Sequence, residues 1–131
     1  MILELSSTLV EALLAEARNA HPHEACGLLL GEGARIDFLR ACANVHPDIA
    51  RHFEIDPRAL IDAHRTARSG GPQVLGHYHS HPSGIPAPSA TDRMHATGDG
   101  QVWAIVGEGS IGWWRDAPGG FEPLSYTVHA S

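Results

Sequence analysis

Two histidines two positions apart, His79 and His81, sit in the run Gly76-His77-Tyr78-His79-Ser80-His81-Pro82, and Ser89 and Asp92 follow beyond a proline-rich stretch. Alternate side chains of a strand point the same way, so the two imidazoles share one face. Asp92 lies three residues past Ser89, about one turn into a helix that Ser89 would start. Two imidazole nitrogens and one carboxylate leave the fourth position of a tetrahedral zinc open, and that vacancy distinguishes a catalytic zinc from a structural one. Iron or cobalt suits the same donors. Each feature also has a plain reading. A His-x-His on a strand is commonly just two histidines, and Ser89-Ala90-Thr91-Asp92 is a capping box in its own right.

Glu24 is the other residue with chemical potential. It stands in His23-Glu24-Ala25-Cys26-Gly27-Leu28-Leu29-Leu30-Gly31, at the entrance of an apolar run. An unpaired buried carboxylate is costly, so Glu24 faces solvent, a partner or a metal-bound water. Spacing alone favours a rim glutamate after Pro22.

Together these residues resemble the signature of the JAMM metallopeptidases, the zinc-bearing MPN domains. The pattern is an upstream glutamate, His-x-His, seven residues, Ser, two residues and Asp. It is matched by Glu24, His79-Ser80-His81 and Ser89-x-x-Asp92. The resemblance runs from Glu24 to the strand near Val106 and is most like the compact bacterial proteins of the family. It implies a zinc-dependent hydrolase cutting a peptide or isopeptide bond. His79, His81 and Asp92 would be the metal ligands, Glu24 the general base and Ser89 the oxyanion donor. The implied substrate is a ubiquitin-like sulfur-carrier protein with a C-terminal Gly-Gly, its tail added along a sheet edge. One departure is His77, where the family often has a bulky apolar residue. It shares the alternation of His79 and His81 and is expected a strand step from the ion, as a packing or supporting residue. Tyr78 and Ser80 are expected to pack on the opposite face.

The elements that must position these groups follow from periodicity. Ser7 to Ala20 reads as an amphipathic helix with Leu9, Val10, Leu13, Leu14 and Ala17 in one stripe and Thr8 with Glu11 as capping box. Cys26 to Leu30 and Ile36 to Cys42 read as a hairpin across Gly31-Glu32-Gly33. Phe53 to Ile55 is a candidate short strand. Asp56 caps a second helix that begins at Pro57 and reaches about Ala67. Val74 to His81 is the central strand, Pro82 to Pro88 a loop, and Ser89 the start of a short helix. Val102 to Val106 and Ile111 to Trp114 form a second hairpin, and Phe121 to Val128 a last strand. The expectation is one domain over residues 1–131, an α/β (mixed α+β) fold of MPN/JAB type with a central mixed β-sheet flanked by helices.

Composition narrows the classes further. The chain has 131 residues, 43% of them hydrophobic, and a net charge of −6. It has no lysine, which excludes a Schiff-base mechanism through a lysine of its own. The arginines are scattered, so no basic face suggests nucleic acid. Cys26 and Cys42 are the only cysteines; they suit buried thiols in a reducing cytoplasm, not a disulfide framework or a thiol protease. No signal peptide and no membrane span is read. Exposed strand edges permit a homo-oligomer without requiring one. Trp103 is expected in the core, with Trp113 and Trp114 in the core or on a partner surface. Two further readings share the fold. One is a RadC-like DNA-repair-associated protein, which the acidic balance and lack of a helical DNA-binding region disfavour. The other is a non-catalytic MPN scaffold, which typically lacks ligands that this chain keeps. A zinc nucleobase deaminase would need His-x-Glu and Pro-Cys-x-x-Cys, and neither is present.

Overall fold

The structure, a computed structural model, describes residues 1–130. Its first element was not anticipated. Met1 is followed by strand β1 (Ile2–Ser6), in which Leu3 and Leu5 are buried while Ile2 and Glu4 face out. That alternation is the mark of a half-buried strand. Helix α1 (Ser7–Ala20) follows at once, and its cap is Ser6, whose Oγ accepts the Leu9 N–H at 3.1 Å. The cap therefore lies two residues before the expected Thr8, which is within the first turn. Leu9 and Leu13 are buried, with Val10, Leu14 and Ala17 packed beside them, as the stripe predicted.

The hairpin is present as β2 (Cys26–Glu32) and β3 (Arg35–Cys42), turning through Gly33 at φ +63°. Helix α2 (Pro57–Arg68) starts as read, with the Asp56 carboxylate accepting the Arg58 N–H at 3.0 Å. Strand β4 (Gln73–Ser80), short helix α3 (Ala90–His95) and the hairpin β5 (Val102–Val106) with β6 (Ile111–Ala117) complete the middle of the chain. Phe53 to Ile55 is not a strand; only an isolated bridge pairs Ile55 with Asn44. Phe121 to Val128 is two strands, β7 (Gly120–Pro123) and β8 (Ser125–His129), because Pro123 ends the first.

One mixed sheet of eight strands results, in the order β7-β6-β5-β4-β2-β3-β1-β8. β4 pairs antiparallel with β2 and parallel with β5, and β1 pairs parallel with both β3 and β8. The two edge strands are separated in sequence by Leu124 alone, so the sheet must curl until its edges approach. Consistent with this, the Leu124 N–H donates to the Trp113 carbonyl at 2.8 Å, and the Trp113 and Tyr126 rings lie 6.2 Å apart.

One face of the sheet holds the apolar core against α1. Tyr78, Ala104 and Trp113 stand in one row across β4, β5 and β6, each nearly or fully buried. Each large side chain buried there contributes about 2 kcal/mol. Gly27 completes the row on β2, where a Cβ would collide with the Tyr78 ring. Tyr78 donates its O–H to the Glu16 carboxylate of α1 at 2.8 Å, so this ring also ties helix to sheet. The other face carries the rows Cys42-Cys26-His79-Ile105 and Arg40-Leu28-His77-Trp103. The histidine face is thus the one the core does not use. No helix of the described residues is long and apolar enough to cross a membrane.

Candidate active site

His79 is the penultimate residue of β4 and is fully buried; His81 lies one residue past the strand. The His81 N–H donates to the Val106 carbonyl at 2.8 Å, which extends the β4–β5 ladder and keeps its side chain on the His79 face. The two Nε2 atoms are 3.0 Å apart. Asp92 reaches both from α3: one carboxylate oxygen is 3.1 Å from His79 Nε2 and the other 3.1 Å from His81 Nε2. Glu24 comes from the segment before β2 and is 7% exposed. Its carboxylate and the two imidazoles have ligating atoms within 4.8 Å of one another. The structure therefore brings together His79, His81 and Asp92, read from their spacing, and Glu24, which the resemblance adds and which is buried rather than on a rim.

The capping box of α3 sets the Asp92 position. Ser89 Oγ accepts the Asp92 N–H at 3.1 Å, and the Ser89 N–H donates to Asp92 Oδ2 at 2.9 Å. The plain reading of Ser89 as a helix cap holds, and capping uses the hydroxyl only as an acceptor. The Ser89 O–H donates to no protein group among the described residues and lies on the rim of the cavity. The proline loop is held from two sides. His81 Nδ1 bonds the Ile85 carbonyl at 2.9 Å, and Trp114 Nε1 donates to the Pro86 carbonyl at 3.2 Å. Gly112 lets Pro86 approach, because a Cβ there would collide with the Pro86 oxygen.

The donor set fits a cation. A carbonyl only accepts, so His81 Nδ1 carries the proton and Nε2 is left to face Asp92. A neutral Nε2 lone pair against a carboxylate oxygen is repulsive unless a proton or a metal ion lies between them. Burial opposes charge on His81, but the Asp92 and Ile85 hydrogen bonds outweigh burial and raise its pKa. Burial also works against the Asp92 charge, yet the bonds from His79 and His81 hold its carboxyl well below the usual range. His79 goes down, because burial penalises its cation more than Asp92 favours it. Burial is likewise the main cause that lifts Glu24 from 4.5 to about 7, with His81 pulling it down and Asp92 pushing it up.

Several residues that shape the site have no signature in the sequence. Phe53 stacks on His79, with ring centres 4.3 Å apart and planes 17° from parallel. This contact and the edge of Trp103 at 5.9 Å hold a ring whose Nδ1 is buried without a hydrogen-bond partner. Asn44 organises the loop over Glu24: its amide donates to the Glu24 and His52 carbonyls, and its oxygen accepts the His46 and Glu54 N–H groups. Ser80 does more than pack, since its Oγ accepts the Ala25 N–H at 2.8 Å and fixes the residue after Glu24. Trp103 is buried as expected, but on the site face, where its ring lies 4.4 Å from His77. His77 does line the cavity, walled by Phe53 and Trp103 and away from the Asp92 cluster. Cys26 is an inert thiol: burial first, then the neighbouring Cys42, pushes it up to about 12.

A profile of prokaryotic homologs of the JAB domain matches residues 6–117. The desampylase of Haloferax volcanii is 34% identical over 109 residues, covering 79% of this chain and 78% of that protein. A Thermus thermophilus protein named "Probable TtuB-protein conjugate cleaving protease" is 32% identical over 96 residues, covering 73% of this chain and 64% of its own length. Among solved structures, a JAB1/MPN domain protein from Archaeoglobus fulgidus superposes with a TM-score of 0.60 at 26% identity, covering 95% of this chain and 96% of that one. The chain belongs to the prokaryotic JAB family, the compact branch of the JAMM/MPN fold.

Proposed function

We propose that this prokaryotic JAB-family chain, acting as one domain over residues 1–131, is a zinc-dependent JAMM isopeptidase. Its reaction is hydrolysis of the bond that follows the C-terminal Gly-Gly of a ubiquitin-like sulfur-carrier protein. The observation that carries this reading is the convergence of His79, His81 and Asp92, with Glu24 within 4.8 Å of the histidine nitrogens. The relatives point the same way, since two of them are named for removing or cleaving protein conjugates.

His79, His81 and Asp92 would hold the zinc, which supplies a Lewis acid that acidifies water and polarises the scissile carbonyl. Glu24 takes the proton of the attacking water and later gives it to the leaving amine. Burial suits it to the first step, because it raises the carboxylate's affinity for a proton above that of an exposed glutamate. Ser89 turns its free O–H toward the oxygen of the tetrahedral species, where one hydrogen bond contributes about 3 kcal/mol. Phe53 and the Ile85 carbonyl keep the two imidazoles from rotating. A tail ending in two glycines suits a cavity of about 600 Å3 lined by Phe53, His77 and Trp103, because small residues at the bond let the backbone come close.

The substitution Glu24→Gln tests the assignment. It retains one zinc per chain by elemental analysis and loses turnover of a conjugate by at least about a thousandfold. Full activity in that variant would remove Glu24 from the reaction.

A further inference from the structure

His77 is a polar group on the cavity wall with no part in the reaction above. Its register neighbours are Leu28 on β2 and Trp103 on β5. Between ring centres it lies 4.4 Å from Trp103, 5.8 Å from Phe53 and 6.4 Å from His79. Its Nδ1 is buried with no hydrogen-bond partner. Its Nε2 bonds no described residue either, yet it is not a buried orphan. Nε2 is therefore the ring nitrogen open to the cavity that His77 lines. An apolar ring would pack equally well between Phe53 and Trp103 and would bury no unpaired nitrogen, so packing alone does not account for an imidazole here.

We infer that His77 is a substrate-binding residue, whose Nε2 hydrogen-bonds a backbone peptide group of the conjugate next to the scissile bond. The inference deepens the hydrolase reading and rests on it. Burial disfavours charge on this ring, so it meets the substrate as a neutral imidazole with one N–H donor and one lone pair. A peptide group offers both complements, a carbonyl and an N–H. Successive peptide groups are about 3.8 Å apart. A chain whose scissile bond lies at His79 and His81 thus puts its first or second flanking peptide group beside His77. A chain with small side chains at the bond lets that backbone come between Phe53 and Trp103 close enough to bond.

The test uses the zinc-loaded full chain and a carrier joined through its terminal Gly-Gly to the lysine of a peptide. His77→Phe keeps a ring and removes both nitrogens. It should retain one zinc per chain, melt no lower than the wild type and lose about fivefold in kcat/KM, mostly through KM. His77→Gln places an amide where Nε2 lies and should recover most of the loss. His77→Asn reaches only as far as Nδ1 and should recover none. If His77→Phe fails to fold, the Gln and Asn variants decide. In the wild type, the 15N signal of His77 Nε2 should move more than that of Nδ1 on saturation with one of the two products, the Gly-Gly carrier or the lysine peptide. The product that moves it identifies the side of the bond that His77 holds. An unchanged KM in His77→Phe, equal recovery by Gln and Asn, or an Nε2 signal that neither product moves overturns this inference and leaves the hydrolase reading standing. Failure of the wild type to cleave the conjugate overturns both.

Discussion

Removing the Glu24 charge makes the metal-free protein more stable, in a pH-dependent way. The carboxyl is buried, and burial moves it from 4.5 in the unfolded chain to about 7 in the fold. Between those values the folded protein holds a proton that the unfolded chain releases, so stability falls as pH rises through this window. A displacement of that size corresponds to about 3 kcal/mol at full burial; cavity water at the carboxyl end reduces this to about 2 kcal/mol. Glu24→Gln has no such loss. With chelator present, the variant and the wild type should have similar melting temperatures near pH 4. Near pH 8 the variant should melt about 8 °C higher. The His79, His81 and Asp92 cluster titrates in both proteins, and its contribution largely cancels in the difference. Adding zinc should narrow the gap, because a nearby cation favours the carboxylate. A Glu24→Gln protein that gains nothing between pH 4 and pH 8, or that is less stable at pH 8, would refute the claim that burial sets the state of this carboxyl.

Other substitutions read the remaining parts of the site. His79→Ala should lower zinc affinity by at least about 100-fold, measured by competition with a chromophoric chelator. Ser89→Ala should cut kcat by about 100-fold with little change in KM and cost about 1 kcal/mol in urea denaturation, because capping and oxyanion donation use different sides of one hydroxyl. Cys26 should resist a maleimide in the folded protein at pH 8 and react on unfolding, as read by mass spectrometry, since burial holds its thiol near 12. Gly76→Ala should destabilise by more than about 2 kcal/mol, because its Cβ would strike the Val102 carbonyl that pairs β4 with β5.

The chemistry was more legible in the sequence than the architecture. His79 and His81 lie at the end of β4 and one residue beyond it, and Ser89 and Asp92 at the cap and first turn of α3, so the periods of two short regular elements convert spacing into geometry. Glu24 was legible as a carboxylate out of place before an apolar strand, though its partner was not. Phe53, Asn44 and Ser80 act through loop packing and long-range hydrogen bonds, and neither leaves a period to read. The helices and both hairpins followed from apolar patterning. β1 did not, because it is short and pairs with β8 from the opposite end of the chain, and β8 reads only as the end of a single last strand. Pro123 within Phe121 to Val128 was the signal that one strand would become two.

Chelator dependence on a defined conjugate tests the central claim most directly. A ubiquitin-like carrier joined through its terminal glycine to a lysine peptide is incubated with the purified protein, and its mass is followed. The account predicts release of the carrier ending in Gly-Gly, loss of release after metal is stripped, and recovery with one equivalent of zinc per chain. Equal cleavage by the stripped protein, or no cleavage when zinc is bound at His79, His81 and Asp92, would contradict it.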